Sequence, residues 1–201
     1  NEEYIEFVKE SKRRNKNPTC ELIIPLPNET KQTYYDGVKV LMDNEVSMST
    51  YTLMMLQGAE LGREDAIKKY GMKSKWRIVP RDFGEYRGKK VFDVERVCVA
   101  TNTMSYADYL NCRRFSLIIH LFANPVFLPL IKLIKEELNI SLFEFVKSIF
   151  ENLEKNNDKK YLNTNSTNNF SRIYSEFSRE CEQELFDSKE DIYAFYSKDE
   201  N

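Results

Sequence analysis

The first half of the chain alternates between short apolar runs and stretches with helical spacing of apolar residues. Residues 2–15 place Tyr4, Phe7 and Val8 on one side of a helix that ends in the basic run Lys12-Arg13-Arg14, which suits a helix C-terminus. Pro18 stops it, and Cys20–Ile24 reads as a strand. A polar turn, Pro25–Thr30, leads into a helix over Lys31–Asn44, with Tyr34, Val38, Leu41 and Met42 on one face. Val46–Leu56 reads as a second strand. Its end, Tyr51–Leu56, is almost continuously apolar, the pattern of a strand covered on both faces. Strand, helix and strand make a βαβ unit, whose strands should be parallel and whose crossover should be right-handed. Both strand ends then fall at one edge, so Pro25–Thr30 faces the same crevice as Gln57–Leu61.

The second half differs. Lys73–Lys90 carries seven basic residues against Asp82 and Glu85, with Trp76, Phe83 and Tyr86 interleaved. Lys75–Val79 reads as extended, and Val91–Val99 as another apolar run. From Met104 the spacing is helical. Ser105 or Thr103 can cap a helix through Phe122. Pro125 suits the start of a further helix through Leu138, and Ser141 the cap of another lined by Leu142, Phe145, Val146, Ile149 and Phe150. Asn156–Asn169 has linker composition, and Phe170–Phe195 reads as one helix or two. The expected segments are therefore 1–103, 104–155 and an acidic tail, 156–201.

Composition narrows the function classes. With 201 residues and 41% apolar side chains, including 13 Phe and 12 Tyr, the chain can bury an aromatic-rich core. A net charge of −2 implies no global polyanion field. No run approaches the ~18 uncharged apolar residues of a membrane span, and no secretory pattern opens the chain. Cys20, Cys98, Cys112 and Cys181 form no CxxC pair, which fits a reduced, cytoplasmic setting. His120 is the only histidine, and its neighbours are apolar; neither a catalytic triad nor a metal site can be assembled around it. No catalytic or metal-ligating residue is assigned. The chain opens with Asn1 rather than Met and leads at once into a helical pattern, as expected of a truncated piece.

A collinear series of short matches spans about Cys20 to Phe150. It comprises Glu21-Leu22-Ile23, Leu26-Pro27, Glu29-Thr30-Lys31, Leu53-Met54-Met55-Leu56, Gly58 and Glu60-Leu61, and continues through Tyr70-Gly71, Lys75-Trp76-Arg77, Pro80-Arg81, Phe83-Gly84-Glu85-Tyr86, Thr101-Asn102-Thr103-Met104-Ser105 and Tyr109-Leu110. This series resembles the C-terminal half of radical S-adenosylmethionine (radical SAM) enzymes of the type fused to a cobalamin-binding domain. The resemblance implies an α/β fold, a partial (β/α) barrel (a partial TIM barrel) with parallel strands, followed by an α-helical C-terminal region. It places the first strand among those lining the adenosine pocket of S-adenosylmethionine. The implied cofactor-binding residues are Ile23, Pro25, Leu56 and Gln57, and the implied substrate contacts are Arg77 and Arg81. Three departures stand out. Pro25 and Asn28 replace family glycines, Gln57-Gly58-Ala59 replaces Pro-Gly-Thr, and the CxxxCxxC loop that holds the four-iron four-sulfur cluster is absent.

What the resemblance implies is thus a C-terminal fragment of a cobalamin-dependent radical SAM enzyme. It would contribute part of the S-adenosylmethionine pocket and of the face that meets a small-molecule substrate. The iron-sulfur cluster and cobalamin would come only through a missing N-terminal part, which is also its expected partner, and the fragment alone would be inactive. The alternative is a non-enzymatic α/β binding module whose basic aromatic segment 73–90 docks a phosphorylated ligand or a protein. Nucleic acid ranks last as a partner because the rest of the chain is acidic, and no membrane partner is expected.

Overall fold

The computed structural model describes residues 2–16, 18–123, 126–156 and 169–197. In chain order the elements are α1 (Glu2–Arg13), β1 (Thr19–Ile24), α2 (Lys31–Asp43), β2 (Ser47–Thr52), a 3-10 turn (Glu60–Gly62), α3 (Glu64–Lys69), β3 (Lys73–Tyr86), β4 (Lys89–Ala100), α4 (Tyr106–Phe122), α5 (Leu128–Leu138), α6 (Leu142–Asn156), α7 (Asn169–Gln183) and α8 (Lys189–Tyr196). The fold is mixed α/β. β1 and β2 pair in parallel and β3 pairs with β4 antiparallel; among the described residues no closed barrel forms. No described helix is long and apolar enough to cross a membrane.

Two compact units divide the chain, each assembled from three segments, whereas the boundaries expected from sequence fall at 103 and 155. The first comprises Asn1–Leu22, Lys31–Tyr51 and Asn111–Phe177. Its core is aromatic. The Phe115 ring centroid lies 4.8 Å from Tyr35, 4.9 Å from Phe150 and 6.0 Å from Phe143, joining α2, α4 and α6. Around it lies a polar network. Arg114 grips Glu154 through two N–H donors at 2.8 and 2.9 Å, Asn111 donates to the same carboxylate, and the Tyr174 hydroxyl donates to it as well. Tyr35 closes the chain by donating to Asn111 at 2.6 Å. A half-buried carboxylate is tolerated because charge-assisted donors surround it.

The second unit comprises Ile23–Thr30, Thr52–Leu110 and Ser178–Asn201. Leu53, Met55, Ala66, Met72 and Cys98 form its apolar centre, with Leu26, Leu61, Ile67 and Tyr70 packed against them. Strand β2 is shorter than the expected Val46–Leu56. After Thr52 the backbone gains a second partner: Leu53 N–H still donates to Ile24 of β1 at 2.8 Å, while Cys98 N–H of β4 donates to Leu53 and Met55 N–H to Arg96 of β4, both at 2.8 Å. The apolar run therefore bridges β1 and β4 instead of lying inside one long strand. β2 itself alternates buried and exposed residues, so one of its faces is uncovered, contrary to the expectation from its apolar end.

The basic aromatic segment proves to be one arm and the turn of a long hairpin. Tyr86 pairs with Lys89 across Arg87-Gly88. These two residues have φ of 51° and 74°, the left-handed pair that a two-residue hairpin turn requires. Ser105 caps α4 as expected, accepting from Asp108 N–H at 3.1 Å, and Ser141 caps α6, accepting from Glu144 N–H at 3.3 Å. The last helical stretch is two helices, the second started by a Ser188–Asp191 capping box. The expected linker core, 157–168, and Pro125 lie outside the described residues.

Candidate functional site

The end of β1 and the segment after β2 lie together in the second unit. The Ile24–Pro25 peptide is cis, and Asn28 has φ of 65°. Asparagine is one of the few non-glycine residues that enters this left-handed region readily, so it makes the turn at the position where the resembled family carries glycine. Glu29 closes the turn: its N–H donates to Leu26 O at 3.2 Å, and its carboxylate accepts from Leu26 N–H at 3.4 Å. Burial raises the Glu29 carboxyl above the ordinary range, and the Leu26 N–H only partly offsets this.

A third loop joins them. Thr101 Oγ1 accepts from Thr103 N–H at 3.3 Å and Met104 N–H at 3.1 Å, and Thr103 Oγ1 donates to Glu29 O at 2.7 Å. Asn102 ties the same loop to the end of α3, through its N–H to Tyr70 O at 2.9 Å and its side chain to Lys69 O at 3.2 Å. Gly71 permits that approach. It has φ of 57°, and a Cβ there would lie 1.8 Å from Asn102 Oδ1. Three segments of the resemblance, 21–31, 53–61 and 101–105, thus meet through specific hydrogen bonds.

The residues expected at the cofactor divide. Ile23 and Leu56 are exposed by 40% and 56%, Gln57 is also exposed, and Pro25 is buried. Met54, 46% exposed, joins the uncovered apolar residues and was not singled out from sequence. Its signal was its offset from Leu56 by two residues in an extended segment.

The two arginines divide as well. Arg77 is 8% exposed; its guanidinium donates to Glu95 at 2.6 Å and to Glu184 at 3.5 Å. Its charge is neutralised inside the fold, where it fastens the hairpin to the chain after α7. Trp76 and Phe186 exchange two backbone hydrogen bonds of 2.8 Å beside it, and Lys75 pairs with Asp187 at 2.6 Å. Arg81 lies in the exposed part of the hairpin, at φ 69° in a register irregularity between Ile78 and Phe83.

Chemistry beyond binding is sparse. Among the described residues no three His, Cys, Asp or Glu side chains could hold a metal, so these residues do not fit an iron-sulfur cluster. None of the four cysteines forms a disulfide, and burial pushes the Cys98 thiol up to about 11. His120 is exposed on α4. Ile23, Met54, Leu56 and Gln57 are therefore exposed at the end of β1 and in the segment after β2, in the unit where Thr103 is hydrogen-bonded to Glu29. No protein-family model matches the chain, and no curated protein matches it.

Proposed function

We propose that this chain is the C-terminal portion of a radical SAM enzyme, of the cobalamin-binding type, and that the strand ends at Ile23 and Leu56 form part of its S-adenosylmethionine pocket. The observation that carries the reading is the coincidence of parallel strand ends with uncovered apolar side chains. In parallel α/β folds ligands bind at the C-terminal edge of the strands. Leaving Ile23, Met54 and Leu56 exposed forgoes burial worth about 1.5–3 kcal/mol for a fully buried side chain of this size. An adenine ring is a flat apolar surface that would recover part of it, with Gln57 and the Glu29 turn supplying polar groups nearby. The cluster and cobalamin would be held by residues outside this chain, and no chemical step is assigned to the residues within it.

The test is S-adenosylmethionine binding to the anaerobically reconstituted protein encoded by the complete gene, compared with Leu56→Asp. A carboxylate against the adenine should weaken binding at least tenfold. Absence of binding in the parent protein, or equal affinity in the variant, would contradict the reading.

One observation favours a second reading, a protein-docking module. Phe83 and Tyr86 are exposed by 71% and 64% on the outer hairpin, among Arg81, Arg87, Lys89 and Lys90. If only this second reading holds, S-adenosylmethionine does not bind, and a truncation replacing 80–91 with a two-residue turn should abolish protein docking.

A further inference from the structure

A cavity of about 720 Å³ opens in the first unit beside Thr19 and Ser47, the first residues of β1 and β2. That volume falls within the usual range for small-molecule sites. Met42, Val46, Ile131 and Leu142 are buried and, with the half-buried Phe122, give it apolar walls. Its mouth is cationic. Glu45 receives three ammonium groups: Lys132 at 2.7 Å, Lys12 at 3.7 Å and Lys135 at 3.8 Å. Among the residues that line the hollow, Lys12 and Lys132 outnumber Glu45 by one positive charge, and Lys135 adds a further ammonium group against the same carboxylate.

The backbone holds Glu45 in place for this role. Its N–H donates to Met42 O and that of Val46 to Leu41 O, both at 2.9 Å, the paired bonds that end a helix through a left-handed residue. That residue is usually glycine, yet here it is Glu45 at φ 56°. The strained position sets a carboxylate among lysines that would otherwise repel one another. Lys12 is anchored from a second side, donating to Asn44 O at 2.8 Å.

Apolar walls disfavour a sugar or a free phosphate, and the surplus charge disfavours a cation. We propose that this cavity binds a small amphiphilic carboxylate, its apolar body against Met42, Ile131 and Leu142 and its headgroup sharing Lys12 and Lys132 with Glu45. The site lies within the first unit, and the argument for it does not use the S-adenosylmethionine reading.

The test is calorimetric titration of the full chain with decanoate below its micelle concentration, with decanol and decyltrimethylammonium as comparators. Decanoate should saturate one site, decanol should bind at least tenfold more weakly, and the cation should not bind. Lys132→Gln should weaken decanoate binding at least threefold. Glu45→Gln should tighten it, because the lysines lose their internal competitor; a purely structural role for Glu45 would give the opposite sign. Ile131→Trp should abolish binding by filling the hollow. If that variant fails to fold, the two surface substitutions carry the test. No saturable site, decanol binding as tightly as decanoate, or weaker binding to Glu45→Gln would each overturn the proposal.

Discussion

Around Phe115 the side chains have complementary partners, whereas at the ends of β1 and the segment after β2 three apolar side chains stand exposed. The first region spends its polar groups internally. Glu154, Arg114, Asn111, Tyr35 and Tyr174 form one connected set of hydrogen bonds about tilted rings. The second region is just as firmly built in its backbone, through Leu53, Met55, Cys98 and Thr103, yet leaves Ile23, Met54 and Leu56 to solvent. An uncovered apolar edge is what the proposed ligand surface would use.

Substitutions should separate the two regions. Phe115→Ala should be the most damaging, costing about 3–5 kcal/mol in denaturant unfolding, because a fully buried ring that packs on two neighbouring helices cannot be replaced by collapse of its neighbours. An intermediate effect should come from acid. Burial raises the Glu154 carboxyl, but Arg114, Tyr174 and Asn111 outweigh it and hold the group below the ordinary range. Its contribution is therefore present above the unfolded-state value of about 4.3 and is lost as pH falls through the lower folded value. Melting temperatures should drop below that pH, and Glu154→Gln should flatten the decline. Asp43 and Glu45, also lowered, maintain the remaining slope. Smallest of all, Ile23→Ala and Leu56→Ala should each change unfolding free energy by no more than about 0.5 kcal/mol. A loss comparable to that of Phe115→Ala would show that these residues are packing and erase the contrast.

Helices were the most legible part of the sequence. The stripe Tyr34, Val38, Leu41 and Met42 faces the core as its spacing implies, and Ser105 and Ser141 cap the helices they precede. Partner choice in the sheets was not legible. Periodicity reports which residues face inward, and it carries no record that the chain passes from β1 to β4 after Leu53. The hairpin carried a usable signal in Arg87-Gly88, a two-residue break between extended runs. Glu184, the distant acid that neutralises Arg77, carried none, because pairing across 107 positions is a product of tertiary packing. At the candidate site, the exposed strand-end residues could be named from the resemblance. The burial of Pro25, the bond from Thr103 to Glu29 and the inclusion of Met54 required coordinates.

The central claim, that the uncovered strand ends are an adenosyl surface, is tested most directly by methyl spectra of the isoleucine-, leucine- and methionine-labelled protein titrated with S-adenosylmethionine. The account predicts saturable shifts at Ile23, Met54 and Leu56 while Ile118 and Ile119 of the first unit stay fixed. Shifts confined to other methyls, or unmoved strand-end signals at saturating ligand, would contradict it.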